Sequence, residues 1–359
     1  MKAKWKKIKQ VLDCRLFQRK IQSRRKRTLR NKGMLGISRV KRLENQQRNV
    51  STQQWVGYKI IRAPKIFSLL ANTEGLLSFI NAVDACFKKR KKVFISMRDT
   101  TLISHDAIVV LLSKLIQFKT SKIDFNGDFP RDVNSRWALN NSGFFEHLYQ
   151  DIDSQEAYTF NRKIYTHANK NVNSLLSSKI IEEASEKLWQ EKRRCPGLQR
   201  VFIELMQNTN NHASFHKKGD KYWWASIVHN KQENKVCFSF IDYGVGILDS
   251  LKNKESGKFA RIITTINGVF RPNNNAEILK LLLEGKIHEL IKEQAYNRGK
   301  GLPGIMKAWR TNNISNLIII TNDVSANIAK NEYRLINNHL SGTFVYWELN
   351  SNNNNIKDE

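Results

Sequence analysis

The stretch Val201–Ala213, VFIELMQNTNNHA, constrains the chain more than any other segment, because it joins an apolar stripe to a row of chemically active side chains. At 100° per residue, its apolar side chains share one face of a helix. Glu204, Asn208 and His212 are spaced four residues apart and lie along another face. Such a row can hold a hydrated cation and a water molecule beside a phosphate. The alternative is an ordinary amphipathic helix with a solvated polar face.

Glycine-containing segments follow this helix at three places. The apolar run VCFSFI ends in Asp242, and two closely spaced glycines follow at once in DYGVG. A helical stretch then leads into NRGKGLPG, and SGT precedes the last strand, FVYWEL. Taken singly, DYG is a turn after a strand. NRGKGLPG also spells G-x-G-x-x-G, but that dinucleotide motif should follow a buried strand, whereas this segment follows a polar helical stretch.

In this order and at these distances, the four segments resemble the N, G1, G2 and G3 boxes of the GHKL ATPases. This is the family of gyrase, the heat-shock chaperone, histidine kinases and mismatch-repair proteins. The resemblance covers residues 174–350, about half of the chain. It implies a Bergerat-type ATP-binding sandwich with a mixed sheet, so the predicted fold class is α/β, an α+β sandwich. The predicted elements here are helices over 175–192, 201–213 and 276–290, a hairpin of 221–228 with 236–241, and strands over 314–321 and 342–349.

The resemblance implies a role for residues of all four boxes, with ATP and Mg²⁺ as ligands. Asn208 matches the residue whose amide oxygen ligates Mg²⁺, an ion that prefers oxygen ligands. Glu204 matches the carboxylate that takes a proton from an attacking water or protein hydroxyl. Asp242 matches the acceptor for the adenine amino group, and Thr343 joins that contact. The other predicted ligand-binding residues are Gly244, Gly246, Gly299, Lys300, Gly301 and Gly304.

The predicted activity is slow, Mg²⁺-dependent ATP hydrolysis coupled to lid closure or partner switching. The lid would be the segment 299–304, and the helix after it, 302–310, would cradle the phosphates with its N-terminus. Histidine kinases usually lack a carboxylate at the position of Glu204, which argues against histidine phosphorylation. Two alternatives stay open: a serine/threonine protein kinase resembling the anti-sigma-factor kinases, and a non-hydrolytic, nucleotide-gated regulator that binds nucleic acid. For His212 we expect a structural role at the helix end.

Residues 54–150 alternate strand-like and helix-like patterns, which predicts βαβ units and a largely parallel sheet. VFISMRDTTLISHDAIVVLLSKL, followed by KIDFNG and LNNSGFFEHL, resembles the STAS domain of anti-sigma-factor antagonists. The resemblance implies a protein partner. His105 and Asp106 stand where phosphorylated members carry serine, so a phosphoserine switch is not expected, and Ser104 is predicted to cap the helix. The predicted elements are a helix capped by Thr73, a strand over 93–97, a helix over 101–118, a strand over 123–125 and a helix over 137–149.

Charge and composition indicate the cellular compartment and the kinds of partner that the chain is expected to bind. Residues 1–50 hold 18 Lys and Arg against two acidic residues, a net +16 of the chain's +29. Counterion release makes this basic, partly disordered arm a predicted contact for nucleic acid, with a solvated tail as the alternative. Four scattered cysteines without ligand spacing argue for a reducing, cytoplasmic compartment and against structural zinc. No apolar run approaches the ~18 residues of a membrane span. Residues 351–359 are predicted to be a disordered tail.

Overall fold

The computed structural model describes residues 55–149, 164–167, 172–212, 223–252, 272–286 and 301–353, together with Gly268. The chain divides at residue 58, and the larger unit, residues 59–359, is compact and contains nearly all described residues. It is a mixed α/β structure with a three-stranded sheet, a five-stranded sheet and a separate pair of strands, which confirms the predicted fold class at that level. The basic arm, residues 1–50, lies outside the described residues, as does the chain beyond 353. Among the residues described, no helix combines the length and apolar character needed to cross a membrane.

The first part of the larger unit is built on a parallel sheet, as predicted for residues 54–150. Its three strands run in the order β1-β3-β5, and a two-stranded parallel ladder of β2 and β4 lies apart from them. The strands are β1 (Lys59–Arg62), β2 (Ile66–Phe67), β3 (Val93–Ser96), β4 (Leu102–Ile103) and β5 (Phe125–Asp128). The helices are α1 (Thr73–Lys88), α2 (His105–Thr120), α3 (Val133–Asn140) and α4 (Phe144–Tyr149).

Two predicted helix boundaries in this part are wrong. Helix α2 begins at His105 rather than at 101, because Leu102–Ile103 pair with Ile66–Phe67 as strand β4. The single helix predicted over 137–149 is two helices, α3 and α4, separated by Gly143 at φ +84°. Glycine adopts this left-handed conformation without a steric penalty, and it ends the helical run.

Two further predictions differ from the structure by a few residues. Helix α1 is capped by Asn72 rather than Thr73, since the Asn72 side-chain oxygen accepts a hydrogen bond from Gly75 N at 3.2 Å. Strand β5 covers 125–128 rather than 123–125, after Lys122 turns the chain at φ +54°.

Ser104 is the N-cap residue of α2, as predicted, but its side chain makes no capping hydrogen bond. Its hydroxyl instead donates to the carbonyl oxygen of Phe67 at 3.2 Å. The carboxylate of Asp106 accepts hydrogen bonds from the backbone N–H groups of Leu69 and Leu70. Burial raises the pKa of Asp106, and these hydrogen bonds oppose the rise. Together these hydrogen bonds connect the N-terminal end of α2 to the loop before α1.

The second part contains the five-stranded sheet, in the order β6-β7-β8-β10-β9. Every described pairing in it is antiparallel, whereas the prediction was a mixed sheet. The reason is that two hairpins, β7–β8 and β9–β10, supply four of the strands. The predicted hairpin around residue 232 is confirmed. The strands are β6 (Ile164–His167), β7 (Trp223–Asn230), β8 (Lys235–Asp242), β9 (Ser315–Asn327) and β10 (Glu332–Asn350).

Five helices accompany this sheet in the described residues, and four of them were predicted. Helix α6 begins at Pro196, five residues before the predicted start at Val201, and the short helix α7 was not predicted. Helix α8 ends at Glu284 with Gly285 in the left-handed conformation, so it is shorter than the predicted 276–290. The residues after 286 lie outside the description until Gly301. The helices are α5 (Ser174–Trp189), α6 (Pro196–His212), α7 (Ile247–Lys252), α8 (Asn275–Glu284) and α9 (Gly301–Arg310).

The five-stranded sheet is covered on both faces. On one face, Phe202 of α6 packs edge-on against Phe238 and Trp347, with ring centroids 5.7 and 5.1 Å apart. Such aromatic pairs contribute about 0.5–1.5 kcal/mol each beyond their burial. Helices α1 and α2 contact both sheets. Twelve of the sixteen residues of α2 are buried, as expected for a helix enclosed on nearly all sides.

Candidate functional site

Helix α6 places Glu204 and Asn208 against the described beginning of α9. A side-chain carbon at Gly301 would lie 3.0 Å from Glu204 Oε2 and 3.4 Å from both terminal atoms of the Asn208 amide. The first distance is shorter than most contacts of a Cβ atom, so a side chain at Gly301 would require the Glu204 carboxylate to move by a few tenths of an ångström. Two of the predicted boxes, nearly one hundred residues apart in the chain, therefore meet in space.

Arg200 extends this row by one turn, and the sequence analysis missed it. Its Nε lies 3.7 Å from Glu204 Oε1, and a side-chain carbon at Gly304 would lie 3.0 Å from the same Nε. The Arg200 side chain is 48% exposed and that of Glu204 is 17% exposed, so the pair borders solvent. Because Arg200 stands four residues before Glu204, the i, i+4 spacing that singled out Asn208 could also have found it.

Asp242 is the last residue of β8 and is buried between its two neighbouring strands. It pairs with Trp223 of β7 on one side and with Thr343 of β10 on the other. Its carboxylate accepts hydrogen bonds from Gly244 N at 2.8 Å and from the backbone N–H of Thr343. Alternation along β8 puts Asp242 on the same face as Phe238, which packs on α6.

Burial raises the pKa of Asp242 to about 6, and the two backbone N–H donors oppose that rise. The carboxyl group is therefore still mostly ionised at neutral pH. A carboxylate has about four acceptor sites, and the two backbone N–H groups use only part of them, so Asp242 favours a ligand that brings a further N–H donor.

Gly342 allows β8 and β10 to approach each other beside Asp242. It has φ +127°, and a side-chain carbon there would clash with the carbonyl oxygen of Asp242. No other residue fits such a position without moving one of the strands. Gly342 thus keeps Thr343 in register with Asp242, so the predicted second and fourth boxes are neighbours in the sheet.

Thr321 and Asn322 of β9 hold the turn that follows Asp242, and the sequence analysis missed both. The Asn322 side chain accepts a hydrogen bond from Leu248 N at 2.9 Å and donates one to the carbonyl oxygen of Val245 at 2.8 Å. Thr321 Oγ1 accepts a hydrogen bond from Ile247 N at 3.0 Å. The two side chains therefore cap α7 from another strand. A polar pair directly after the apolar run LIII is a weak sequence signal for this role.

The structure brings the predicted residues together in two groups, both on the face of the sheet that packs on α6. The first group is formed by α6 and α9, and the second by β8, β10 and the turn after β8. Gly299 and Lys300 lie outside the described residues, and only the backbone of His212 is described. The first group is Glu204, Asn208, Gly301 and Gly304; the second is Asp242, Gly244, Gly246 and Thr343.

Comparison of the chain with protein-family models, with curated proteins and with solved structures finds no match. The interpretation of the site therefore rests on the residues and their geometry. In the part of the chain that is described, no three His, Cys, Asp or Glu side chains are grouped as ligands of a metal ion. Mg²⁺ is commonly held by one or two protein oxygens together with water and substrate phosphates, and the Asn208 amide fits that pattern.

Proposed function

We propose that residues 174–350 form an ATP-binding module of the GHKL type that hydrolyses ATP slowly with Mg²⁺. In this proposal the parallel-sheet part, residues 54–150, is a STAS-like layer joined to the module. One observation carries the proposal: Gly301 lies within contact distance of Glu204 and Asn208, where any side chain would crowd both. The contact places the N-terminal end of α9 beside both polar side chains, and the N-terminus of a helix favours the negative charge of a phosphate group.

The phosphate end of the nucleotide would lie at the row of polar side chains on α6. Asn208 would hold Mg²⁺ through its amide oxygen, and the bound ion would neutralise charge on the phosphate oxygens. Glu204, one turn away, would accept the proton of the attacking water. Arg200, 3.7 Å from Glu204, would restrict the orientation of that carboxylate. The N-terminal end of α9 and the glycines near it would favour the phosphate charge.

The base end would lie at Asp242. Its buried carboxylate would accept a hydrogen bond from the adenine amino group, and the neighbouring Thr343 hydroxyl would add a second polar contact. Guanine presents a carbonyl oxygen at the corresponding position, which a carboxylate oxygen would repel. The arrangement therefore favours ATP over GTP, because the wrong complex would place two acceptor oxygens against each other.

Two substitutions on α6 test the proposal. Asn208→Ala should abolish binding of Mg²⁺–ATP in calorimetry. Glu204→Ala should bind nucleotide but release phosphate about 10²- to 10⁴-fold more slowly, the usual contribution of a general base. Gln207→Ala removes an exposed polar side chain from the same helix and should behave as wild type. Wild-type protein that binds no ATP in the presence of Mg²⁺ would refute the proposal.

Labelled ATP separates hydrolysis from phosphoryl transfer, because Glu204 could take a proton from water or from a protein hydroxyl alike. With the label on the γ-phosphate, free phosphate as the sole labelled product supports the ATPase. Label transferred to serine or threonine would support the serine/threonine kinase alternative. The contact of residues 1–50 with nucleic acid and a protein partner of the STAS-like layer stay predictions, as does the nucleotide-gated regulator.

A further inference from the structure

Tyr243 follows Asp242 directly, and the two side chains leave the end of β8 on opposite faces of the sheet. The Tyr243 ring is buried, and its hydroxyl lies 2.7 Å from Ser113 Oγ and donates a hydrogen bond to the carbonyl oxygen of Val110 at 3.2 Å. Ser113 and Val110 belong to helix α2 of the parallel-sheet part. A single peptide bond therefore separates the proposed adenine acceptor from a side chain anchored in that part.

A largely buried ion pair lies against the face of the same ring. Lys114 Nζ lies 3.7 Å from the centroid of the Tyr243 ring and 2.8 Å from Asp84 Oδ1. The side chains of Lys114 and Asp84 are only 5% and 20% exposed. Burial raises the pKa of the Tyr243 hydroxyl well above its ordinary value, so that the group remains a hydrogen-bond donor. Helices α1 and α2 thus hold the ring by its face and by its hydroxyl group.

We infer that Tyr243 is a positioning residue for Asp242, and that helix α2 is thereby part of the nucleotide-binding machinery. The Asp242 carboxylate accepts a hydrogen bond from Gly244 N at 2.8 Å, so its orientation depends on the backbone on both sides of Tyr243. Fixing the Tyr243 ring fixes that backbone. The inference rests on the proposed function, because it gives Asp242 its ligand.

A coupling between α2 and the nucleotide follows from this arrangement. Any change that loosens α2 should weaken adenine binding, and by thermodynamic reciprocity bound nucleotide should stabilise α2. A partner that docks on the parallel-sheet part would then alter nucleotide affinity through the contact between Ser113 and Tyr243, without touching the nucleotide.

Ser113→Ala and Tyr243→Phe each test this inference, from opposite sides of the contact. Calorimetry on the full chain should show Mg²⁺–ATP affinity weakened by about 3- to 10-fold in each, the effect of one lost hydrogen bond. The pH at which half of the binding is lost should also fall, because a looser turn admits water to Asp242. A role limited to stability would not move that midpoint.

Ser142→Ala is the matched control. Ser142 is fully buried in the same part of the chain, and its hydroxyl donates to the carbonyl oxygen of Leu139 at 2.7 Å. Ser113 Oγ lies at the same distance, 2.7 Å, from the carbonyl oxygen of Val110, so both variants lose a comparable local hydrogen bond. Ser142→Ala should lower stability and leave affinity and midpoint at their wild-type values.

Three outcomes separate the hypotheses. Weaker binding and a lower midpoint in Ser113→Ala and Tyr243→Phe, but not in Ser142→Ala, support the positioning role. Wild-type affinity in both variants, or equal weakening in Ser142→Ala, overturns it while the proposed function stands. Wild-type protein that binds no nucleotide overturns the proposed function and the positioning role together.

Discussion

The two faces of the five-stranded sheet differ in chemistry, although the same strands supply both. The face that packs on α6 carries large apolar rings, with Phe238 and Trp347 stacked at 5.3 Å. The other face also carries buried apolar side chains but adds a polar cluster, in which Glu348 lies 3.0 Å from Lys235 Nζ and accepts a hydrogen bond from Asn316. An apolar face can be covered by any helix of suitable shape, whereas each buried polar group needs a specific partner.

At the end of β8, the difference between the two faces is seen in two consecutive residues. Asp242 belongs to the face toward α6 and has the chemistry that we propose for nucleotide recognition. Tyr243 belongs to the other face, where its contacts to Ser113 and Lys114 are structural. We therefore expect the face toward α6, which carries the proposed acceptor, to depend on the polar contacts of the face behind it.

The largest effect is expected where the two strands of the site touch. Gly342→Ala would set a methyl group against the carbonyl oxygen of Asp242, at φ +127°. We expect the free energy of unfolding to fall by about 3 kcal/mol or more, with loss of nucleotide binding. Urea denaturation and calorimetry measure the two effects.

Gly143→Ala separates backbone strain from this steric clash. Gly143 has φ +84°, but a side-chain carbon there would meet nothing closer than 3.8 Å. That variant should lose only about 1 kcal/mol and keep its affinity for nucleotide. Equal losses in the two variants would show that the close approach of β8 and β10 is not the cause.

Acidification should act on binding and on stability in opposite directions through Asp242. Its pKa in the folded protein is about 6, above the ordinary 3.8, so the folded state binds this proton more readily than the unfolded chain does. The buried carboxylate therefore lowers the free energy of unfolding above pH 6, by roughly 3 kcal/mol, and that penalty disappears as the pH falls toward 4. Nucleotide binding needs the ionised acceptor and should weaken as the pH falls through about 6.

Asp242→Asn isolates this contribution, since an amide does not titrate in that range. Affinity for Mg²⁺–ATP and the free energy of unfolding should be measured for both proteins between about pH 5 and pH 8. ATP takes up protons in the same range, but this affects both proteins equally and cancels in the difference. Identical pH profiles for wild type and variant would remove Asp242 from the binding site.

A smaller effect, limited to the face toward α6, is expected from a single methyl group on α9. Gly301 is the first residue of α9, so Gly301→Ala gains less helix propensity than the about 1 kcal/mol of an interior position, and it crowds Glu204 Oε2, which a side-chain carbon would approach to 3.0 Å. We expect a fold close to wild type in stability and a loss of about tenfold or more in phosphate release, because small displacements of catalytic groups are costly. Gly304→Ala would crowd Arg200 Nε, also at 3.0 Å, and not the proposed base itself, so it should retain more activity. The reverse order would contradict the placement of Glu204.

Periodicity predicts which side chains share an element, and much of the site follows from it. The spacing of Glu204 and Asn208 along α6, and the position of Asp242 at the end of an apolar strand, could be predicted from residue types alone. Their roles in binding and hydrolysis stay predictions. The ends of α2 and β5 could not be predicted, because they depend on pairing with strands elsewhere in the chain and on a left-handed turn.

The contacts between different helices and strands could not be predicted from the sequence, for a different reason. The spacing within one helix does not say what lies opposite, so nothing in the sequence pairs Tyr243 with Ser113 or Asn322 with the turn at Leu248. Both contacts involve buried polar groups, whose partners are fixed only when the whole fold is formed. Contacts between buried polar groups are therefore less predictable than the packing of apolar side chains.

The smallest effect is expected at Arg200, which lies between the two glycines of α9 and the proposed base. Its ion pair with Glu204 is half exposed, at 3.7 Å, and such pairs contribute little to stability. Arg200→Gln should therefore unfold like wild type while kcat for ATP falls by about two- to fivefold, since Glu204 loses a group that orients it. Arg193→Gln removes a comparable pair, with Glu191 at 3.0 Å, from the chain segment before α6. The measurement is steady-state phosphate release by both variants. An equal change in kcat would show a general effect of charge. A change in Arg200→Gln alone would show that the row on α6 includes a third functional residue.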